Sequence, residues 1–84
     1  NLGSLEDGPL YAVPVVAGDL GTKGGLLTNA SAQVLNQAGQ PIAGLYACGN
    51  CSSAVMGPSY AGAGSTLGPA MTFGYVAAET AAAE

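Results

Sequence analysis

The residues best suited to chemistry lie in segment 44–74, which is crowded with glycine, serine and alanine. Glycines let a main chain adopt positive φ angles and come close to a flat or anionic ligand. Tyr60 lies among them, and its hydroxyl can donate a hydrogen bond or a proton, although a loop tyrosine can also pack on its neighbours without a catalytic role. This composition suits a ligand with carbonyl or phosphate oxygens.

A strand, a glycine-rich loop and a helix are predicted to position these residues. The apolar run at residues 45–47 enters the loop, and the helix opens at Thr66 and continues to about Ala82. Thr66 is an acceptable N-cap, and Pro69 lies in the first turn, where its missing N–H costs little. The N–H groups of that turn point outward as donors. Gly74 in mid-helix costs about 1 kcal/mol relative to Ala, and we expect close packing against a neighbouring strand to compensate.

The residues before this segment are predicted to form short extended pieces separated by loops. Residues 10–16 are typical of a strand, in which Pro14 must lie at an edge or a bulge because it has no N–H to donate. Residues 17–25 contain four glycines and are predicted to form a loop. The remaining predicted elements are an extended piece at residues 26–28, a polar turn at residues 29–31, an antiparallel hairpin with its turn at Ala38 and Gly39, and a strand at residues 44–47.

The composition excludes some classes of function. The 84 residues carry one cation, Lys23, against five carboxylates, for a net charge of −4. Nucleic-acid binding is not expected, because neutralising phosphates needs Lys and Arg. No apolar run reaches the roughly 20 residues of a membrane-spanning helix. Lys23 is expected to be solvated in its loop or to pair with Asp19.

The length and the first residues indicate a piece of a larger protein. A chain this short buries only roughly 60% of its unfolded surface, and half of its residues are hydrophobic, so we expect its apolar surface to need a partner. The polar start does not begin with Met and lacks the features of a signal peptide. We expect a cytoplasmic protein and leave association with a membrane open.

Two further motifs give weaker indications of a function. Cys48 and Cys51 form a C-x-x-C pair, but the pair enters a Gly/Ser loop, and the sequence has no His or second pair to complete a zinc site. We therefore expect two small buried thiols and no metal. Gly62, Gly64 and Gly68 are spaced one residue too widely for the dinucleotide fingerprint G-x-G-x-x-G, so this loop is not the entry loop of a Rossmann domain.

The run at residues 57–69, GPSYAGAGSTLGP, resembles the C-terminal flavin-binding segment of the 3-ketosteroid Δ1-dehydrogenases. These enzymes belong to the fumarate reductase-like FAD flavoproteins, and the likeness continues through residues 71–75, 18–25 and 8–13. The resemblance implies an α/β fold, namely the C-terminal part of an FAD-binding, Rossmann-like domain with short strands, a β-hairpin, a Gly-rich loop and a terminal α-helix. Residues 1–84 would form an incomplete domain without the N-terminal dinucleotide motif or the substrate domain.

The resemblance also implies roles for individual residues. In the related enzymes the Tyr that matches Tyr60 donates a hydrogen bond to the substrate's C3 carbonyl, and the Gly that matches Gly64 offers its main-chain N–H to the same oxygen. This chain has Ala61 where the family usually has Pro. The residues implied to contact FAD are two near the ribityl chain and three whose amides face the pyrimidine edge of the flavin: Gly49, Asn50, Ser65, Thr66 and Leu67.

The activity implied by the resemblance is an FAD-dependent dehydrogenation of a carbon–carbon bond next to a ketone, most closely the 1,2-bond of a 3-ketosteroid. The catalytic base would lie outside these residues, so we expect the 84 residues alone to be inactive. One alternative is a related flavoprotein that acts on another enone or a dicarboxylate, although the absence of His and Arg disfavours a dicarboxylate. The other alternative is a non-catalytic association module that binds a partner chain.

Overall fold

The computed structural model describes residues 3–84. Strands β1 (Gln33–Leu35) and β2 (Pro41–Tyr46) are followed by a short 3-10 turn (Gly49–Cys51) and by helix α1 (Leu67–Ala83). The order of hairpin, glycine-rich loop and terminal helix is the predicted one. The predicted α/β fold is therefore confirmed in its hairpin and its terminal helix.

Strands β1 and β2 form an antiparallel hairpin with an irregular register. Gln33 pairs with Tyr46 and Leu35 pairs with Pro41, so β2 bulges between the two pairs. Gly44 lies in the bulged stretch with a φ of +74°. A glycine suits this position because residues with a side chain rarely adopt a positive φ.

Asn36 fixes the turn of the hairpin. Its N–H donates to the carbonyl oxygen of Gln40 at 2.8 Å, and its side-chain oxygen accepts from the N–H groups of Ala38 at 2.9 Å and Gln40 at 3.0 Å. Gly39 completes the turn with a φ of +80°. The predicted turn at Ala38 and Gly39 is confirmed, and the asparagine supplies the side-chain hydrogen bonds that such turns favour.

The few buried side chains lie where the hairpin meets two isolated bridges. Within residues 3–84, the buried ones are Ala32, Val34 and Ser52. Leu26 forms a parallel bridge with Ser52, and Thr28 forms an antiparallel bridge with Val34. The extended piece that was predicted before the hairpin therefore exists, and it joins the hairpin to the 3-10 turn.

Helix α1 begins beside the glycine-rich loop. Thr66 is its N-cap, as predicted, but the Thr66 side chain makes no capping hydrogen bond. A Cβ atom placed on Gly74 would lie 3.6 Å from the Sγ of Cys48, so the helix packs close to the chain just beyond β2. This proximity agrees with the packing predicted for Gly74. No helix in the described part of the chain has the length and apolar character needed to cross a bilayer.

Residues 3–20, here called the arm, contain no regular structure, and the strand predicted at residues 10–16 is wrong. A strand needs a neighbour for its N–H and C=O groups, and no segment within residues 3–84 pairs with the arm. Its side chains are exposed, with Tyr11 at 86% and Val15 at 92%. The radius of gyration is 18.7 Å, against about 12 Å for a compact domain of this length.

The two cysteines are free thiols at the 3-10 turn, Cys48 directly before it and Cys51 at its last position. Cys48 is half-buried and Cys51 is exposed, so the prediction of two buried thiols is wrong for Cys51. The turn packs against α1, while Cys51, at its last position, keeps its side chain at the surface. No group of three metal-ligating side chains occurs within residues 3–84.

Candidate functional site

Three segments meet at the N-terminal end of α1. The first is the loop at residues 21–25, here called the Thr22 loop, and two hydrogen bonds from Thr22 join it to the 3-10 turn. The Thr22 N–H donates to the side-chain oxygen of Asn50 at 3.2 Å, and the Thr22 hydroxyl donates to the Asn50 carbonyl oxygen at 2.6 Å. The Asn50 side chain is thereby held by its oxygen, which leaves its NH₂ group for other acceptors.

Two glycines allow these segments to approach the helix. A Cβ atom on Gly21 would lie 3.1 Å from the Oγ1 of Thr66, and one on Gly49 would lie 3.1 Å from the Cβ of Ala70. Gly49 also has a φ of +63°. Both contacts would be tighter than ordinary side-chain packing, so the close approach of loop, turn and helix depends on glycine at these positions.

The N-terminal end of α1 presents main-chain donors without partners. Ser65 N–H donates to the carbonyl oxygen of Gly62 at 3.1 Å, and Gly68 N–H donates to that of Gly64 at 2.7 Å. By contrast, the N–H groups of Gly64, Thr66 and Leu67 meet no hydrogen-bond acceptor within residues 3–84. These three N–H groups are therefore available to an acceptor outside the described chain.

A small cavity and an open cleft adjoin these donors. The cavity has a volume of about 30 Å³ and is lined by residues that include Lys23, Asn50, Ser65 and Thr66. The Ser65 hydroxyl is buried and has no hydrogen-bond partner within the described residues. Since a buried hydroxyl without a partner is costly, and the cavity is large enough for one polar atom or water, the hydroxyl needs a partner there.

The cleft is wider, with a volume of about 490 Å³, and is lined by the loop and the first turns of α1. Gly64 and Ser65 form part of its wall, together with the apolar side chains of Val55, Met56 and Phe73. This volume lies within the range of small-molecule sites, which are typically about 300–1,000 Å³. The cleft thus combines an apolar lining with a few main-chain donors.

Tyr60 directly precedes Ala61, a residue of the cleft wall, at the end of the exposed loop at residues 54–60. Its side chain is 51% exposed, and its hydroxyl has no hydrogen-bond partner in the described part of the chain. Neighbouring Ala61 lines the cleft, whereas Tyr60 does not. Gly64 and Ser65 line the cleft, Ser65 and Thr66 line the small cavity, and Tyr60 lines neither of them.

The sequence interpretation missed two residues that organise this region. Thr22 joins the Thr22 loop to Asn50. Lys23 was expected to be solvated or to pair with Asp19, but its ammonium group donates to the main-chain carbonyl oxygen of Ser59 at 3.0 Å. The only signal in the sequence was their place within a run of four glycines, which does not indicate a partner 28 or 36 residues away.

A family model described as the FAD binding domain matches residues 3–67. The chain belongs to the FAD-binding domain family. The cofactor indicated for this FAD-binding chain is FAD, as the resemblance implied. The family membership agrees with a glycine-rich loop and a helix N-terminal end that carry free main-chain donors.

Individual relatives agree with the resemblance found in the sequence. The chain is 59% identical over 75 residues to a 3-oxosteroid 1-dehydrogenase of Comamonas testosteroni, which covers 89% of the chain and 13% of that relative. It is 51% identical over 84 residues to a 4-oxocyclohexanecarboxylate 2-dehydrogenase of Sinomonas cyclohexanicum, which covers the whole chain and 15% of that relative. The FAD-binding chain thus spans roughly one seventh of the length of these proteins.

A solved structure gives the same result. The chain is similar to 3-ketosteroid delta1-dehydrogenase from Sterolibacterium denitrificans in complex with 1,4-androstadiene-3,17-dione, with a TM-score of 0.75 and 63% sequence identity. The match covers 80% of this chain and 12% of that one. The recognised likeness to the 3-ketosteroid Δ1-dehydrogenases is therefore confirmed.

Proposed function

We propose that this chain is part of an FAD-dependent oxidoreductase that dehydrogenates the 1,2-bond of a 3-ketosteroid. The observation that carries the proposal is the free N–H of Gly64 in the wall of an apolar cleft, four residues after an unpaired tyrosine. The identity of the relatives supports the choice of substrate, because three 3-oxosteroid 1-dehydrogenases are 54–59% identical to this chain. The remainder of the parent protein would supply the catalytic base.

Tyr60 and Gly64 would act on the ketone oxygen. When the proton next to the ketone leaves, negative charge develops on that oxygen, and donors already aimed at it lower the barrier. The Tyr60 hydroxyl and the Gly64 N–H have no competing acceptor within residues 3–84, so neither must give up a hydrogen bond to receive the substrate. The apolar wall formed by Val55, Met56 and Phe73 suits a steroid skeleton.

The residues around the cavity fit a bound flavin. Its pyrimidine edge carries carbonyl oxygens, and the free N–H groups of Thr66 and Leu67 together with the buried Ser65 hydroxyl provide donors for such oxygens. The Ser65 N–H is already bonded to Gly62, so Ser65 would contribute its side chain rather than the amide that the resemblance implied. Asn50 and Gly49 would hold the ribityl chain. When bound, FAD supplies the hydride acceptor of the reaction.

The proposal is tested by Tyr60→Phe in the intact, flavin-loaded parent protein. We expect kcat/KM for a 3-ketosteroid to fall by about 10²–10³, the cost of removing one donor to a developing oxyanion, with the flavin absorbance spectrum unchanged. Tyr75→Phe is the matched control and should leave kcat/KM unchanged, because Tyr75 is exposed on α1 and its hydroxyl donates to Glu79. If Tyr60→Phe keeps more than half of the activity, the proposed role of the phenol is wrong.

A second candidate substrate is a smaller cyclic ketone that carries a carboxylate. The observation that favours it is the 51% identity over the whole chain to the 4-oxocyclohexanecarboxylate 2-dehydrogenase. Turnover of 4-oxocyclohexanecarboxylate but not of a 3-ketosteroid by the intact protein would select this alternative. A dicarboxylate substrate is disfavoured, because the 84 residues contain no Arg and no His to bind a second carboxylate.

A further inference from the structure

We infer that Lys23 is a positioning residue that holds the Tyr60 loop, residues 54–60, against the Thr22 loop, residues 21–25. Its main-chain carbonyl oxygen accepts a hydrogen bond from the N–H of Ala54 at 3.1 Å, where the Tyr60 loop begins. Its ammonium group donates to the carbonyl oxygen of Ser59 at 3.0 Å, directly before Tyr60. One residue therefore binds both ends of the loop.

Hydrogen bonds of the adjoining residues hold the main chain at Lys23 in place. The preceding residue, Thr22, makes two hydrogen bonds to Asn50. On the other side, Leu26 exchanges main-chain hydrogen bonds with Cys51 and Ser53 at 3.0 and 2.8 Å. The Lys23 main chain is thus held on both sides. Its side chain therefore extends toward Ser59 from a main-chain position that is fixed by hydrogen bonds.

The Tyr60 loop has little else to hold it. Within residues 54–60, the internal main-chain hydrogen bond is the one from Gly57 N–H to Ala54 carbonyl oxygen at 3.1 Å. The Tyr60 side chain is half exposed and packs into no core. Ala61 follows Tyr60, so the chain at this point lacks the stiffening that a proline ring would give. Among the hydrogen bonds of the described residues, the one from Lys23 to Ser59 then holds the main chain directly before Tyr60.

The consequence for catalysis rests on the proposed function of Tyr60. A phenol displaced from its productive position loses much of its effect, because transition-state stabilisation depends on donors that are already in place. Lys23 would therefore act on turnover through Tyr60, without touching the substrate itself.

The test uses the intact, flavin-loaded parent protein with Lys23→Met and Lys23→Arg. For Lys23→Met we expect amide hydrogen exchange in residues 54–62 to become roughly two- to tenfold faster, the range that the loss of one hydrogen bond in solvent produces. We expect kcat for a 3-ketosteroid to fall by a similar factor, with KM less affected. Lys23→Arg keeps the charge and the donors, so it should restore both quantities.

Asp19→Asn is the matched control, because Asp19 is the carboxylate that would pair with Lys23 if the charge alone mattered. It should change neither exchange nor turnover; an effect equal to that of Lys23→Met would overturn the proposal in favour of an ion pair. Unchanged exchange in Lys23→Met, or loss of bound flavin from it, would also overturn the proposal. If Lys23→Met speeds exchange but neither the parent protein nor any variant turns over a 3-ketosteroid, the positioning role of Lys23 stands and the proposed function is wrong.

Discussion

Residues 10–16 and residues 26–35 are both rich in leucine and valine, yet their side chains lie in different surroundings. In the second segment, Leu26 and Thr28 bridge to neighbouring residues, and Val34 is 2% exposed. In the first segment, Val15 is 92% exposed, and its main-chain N–H and C=O groups form no hydrogen bond within residues 3–84. The difference is the presence of a partner, since an apolar, extended stretch forms a strand only beside another strand.

The comparison bears on how the proposed site is supported. The segment with partners holds the 3-10 turn through the Leu26 bridge to Ser52, and the turn packs against α1, where the free N–H groups lie. The arm contributes nothing to this scaffold within the described residues. The site is therefore positioned by pairing between separate segments around the hairpin, whereas the arm presents apolar surface that the rest of a longer protein can cover.

The greatest loss of stability is expected from a substitution in the arm. We expect Val15→Asp to destabilise the intact parent protein by about 3 kcal/mol or more, because a side chain covered in that protein would become an unpaired buried charge. Urea unfolding of the flavin-loaded protein measures the change. Ala38→Asp, in the exposed hairpin turn, is the control and should change the free energy of unfolding by less than about 0.5 kcal/mol. If Val15→Asp is equally mild, the arm stays exposed in the intact protein.

An intermediate effect is expected from a glycine in the segment that has partners. A Cβ atom on Gly25 would lie 2.5 Å from the carbonyl carbon of Ser52, so Gly25→Ala must push the main chain of the 3-10 turn away. We expect a loss of about 1–3 kcal/mol in the free energy of unfolding of the parent protein, as for other overpacked sites.

Gly18→Ala is the matched control for this experiment, because a Cβ atom on this arm residue would meet nothing within 4 Å. It should be neutral or slightly stabilising, since alanine reduces the entropy of the unfolded chain. Equal costs for the two substitutions would contradict the difference in packing between the arm and the hairpin region.

The smallest effect concerns a side chain that has a partner but remains in solvent. The Tyr75 hydroxyl donates to the carboxylate of Glu79 at 2.5 Å, and this hydrogen bond, with a smaller contribution from desolvation, raises the pKa of Tyr75 above its usual 10.0. The stabilisation is therefore fully present at neutral pH and is lost as the pH rises through the raised pKa. We expect Glu79→Gln to lower the pKa toward 10.0 in an ultraviolet titration of the phenolate.

At neutral pH, the same Glu79→Gln substitution should leave the free energy of unfolding nearly unchanged, because solvent screens an exposed interaction. A large loss of stability would mean that this face of α1 is buried in the intact protein. Burial of this face against another segment would then stabilise the protein more than the hydrogen bond between Tyr75 and Glu79 does.

Several parts of the fold could be read directly from local residue patterns. Asn36 and Gly39 specify a turn through hydrogen bonds that span four residues or fewer. Thr66 and Pro69 specify where α1 begins, because the helix start depends on the residues of one turn. The glycine-rich loop before the helix was recognised in the same way, and Gly64 and Thr66 in it do carry free main-chain donors.

The remaining features required the tertiary structure. The partner of Lys23 lies 36 residues away, and that of Thr22 lies 28 residues away, and no periodicity or spacing encodes contacts over such distances. The burial of the Ser65 hydroxyl and the exposure of residues 10–16 likewise depend on which segments lie beside them. Local residue types thus specify where the chain turns, loops and becomes helical, because those conformations depend on residues close in sequence. Which side chains meet, and which are left without a partner, was decided by the packing of distant segments.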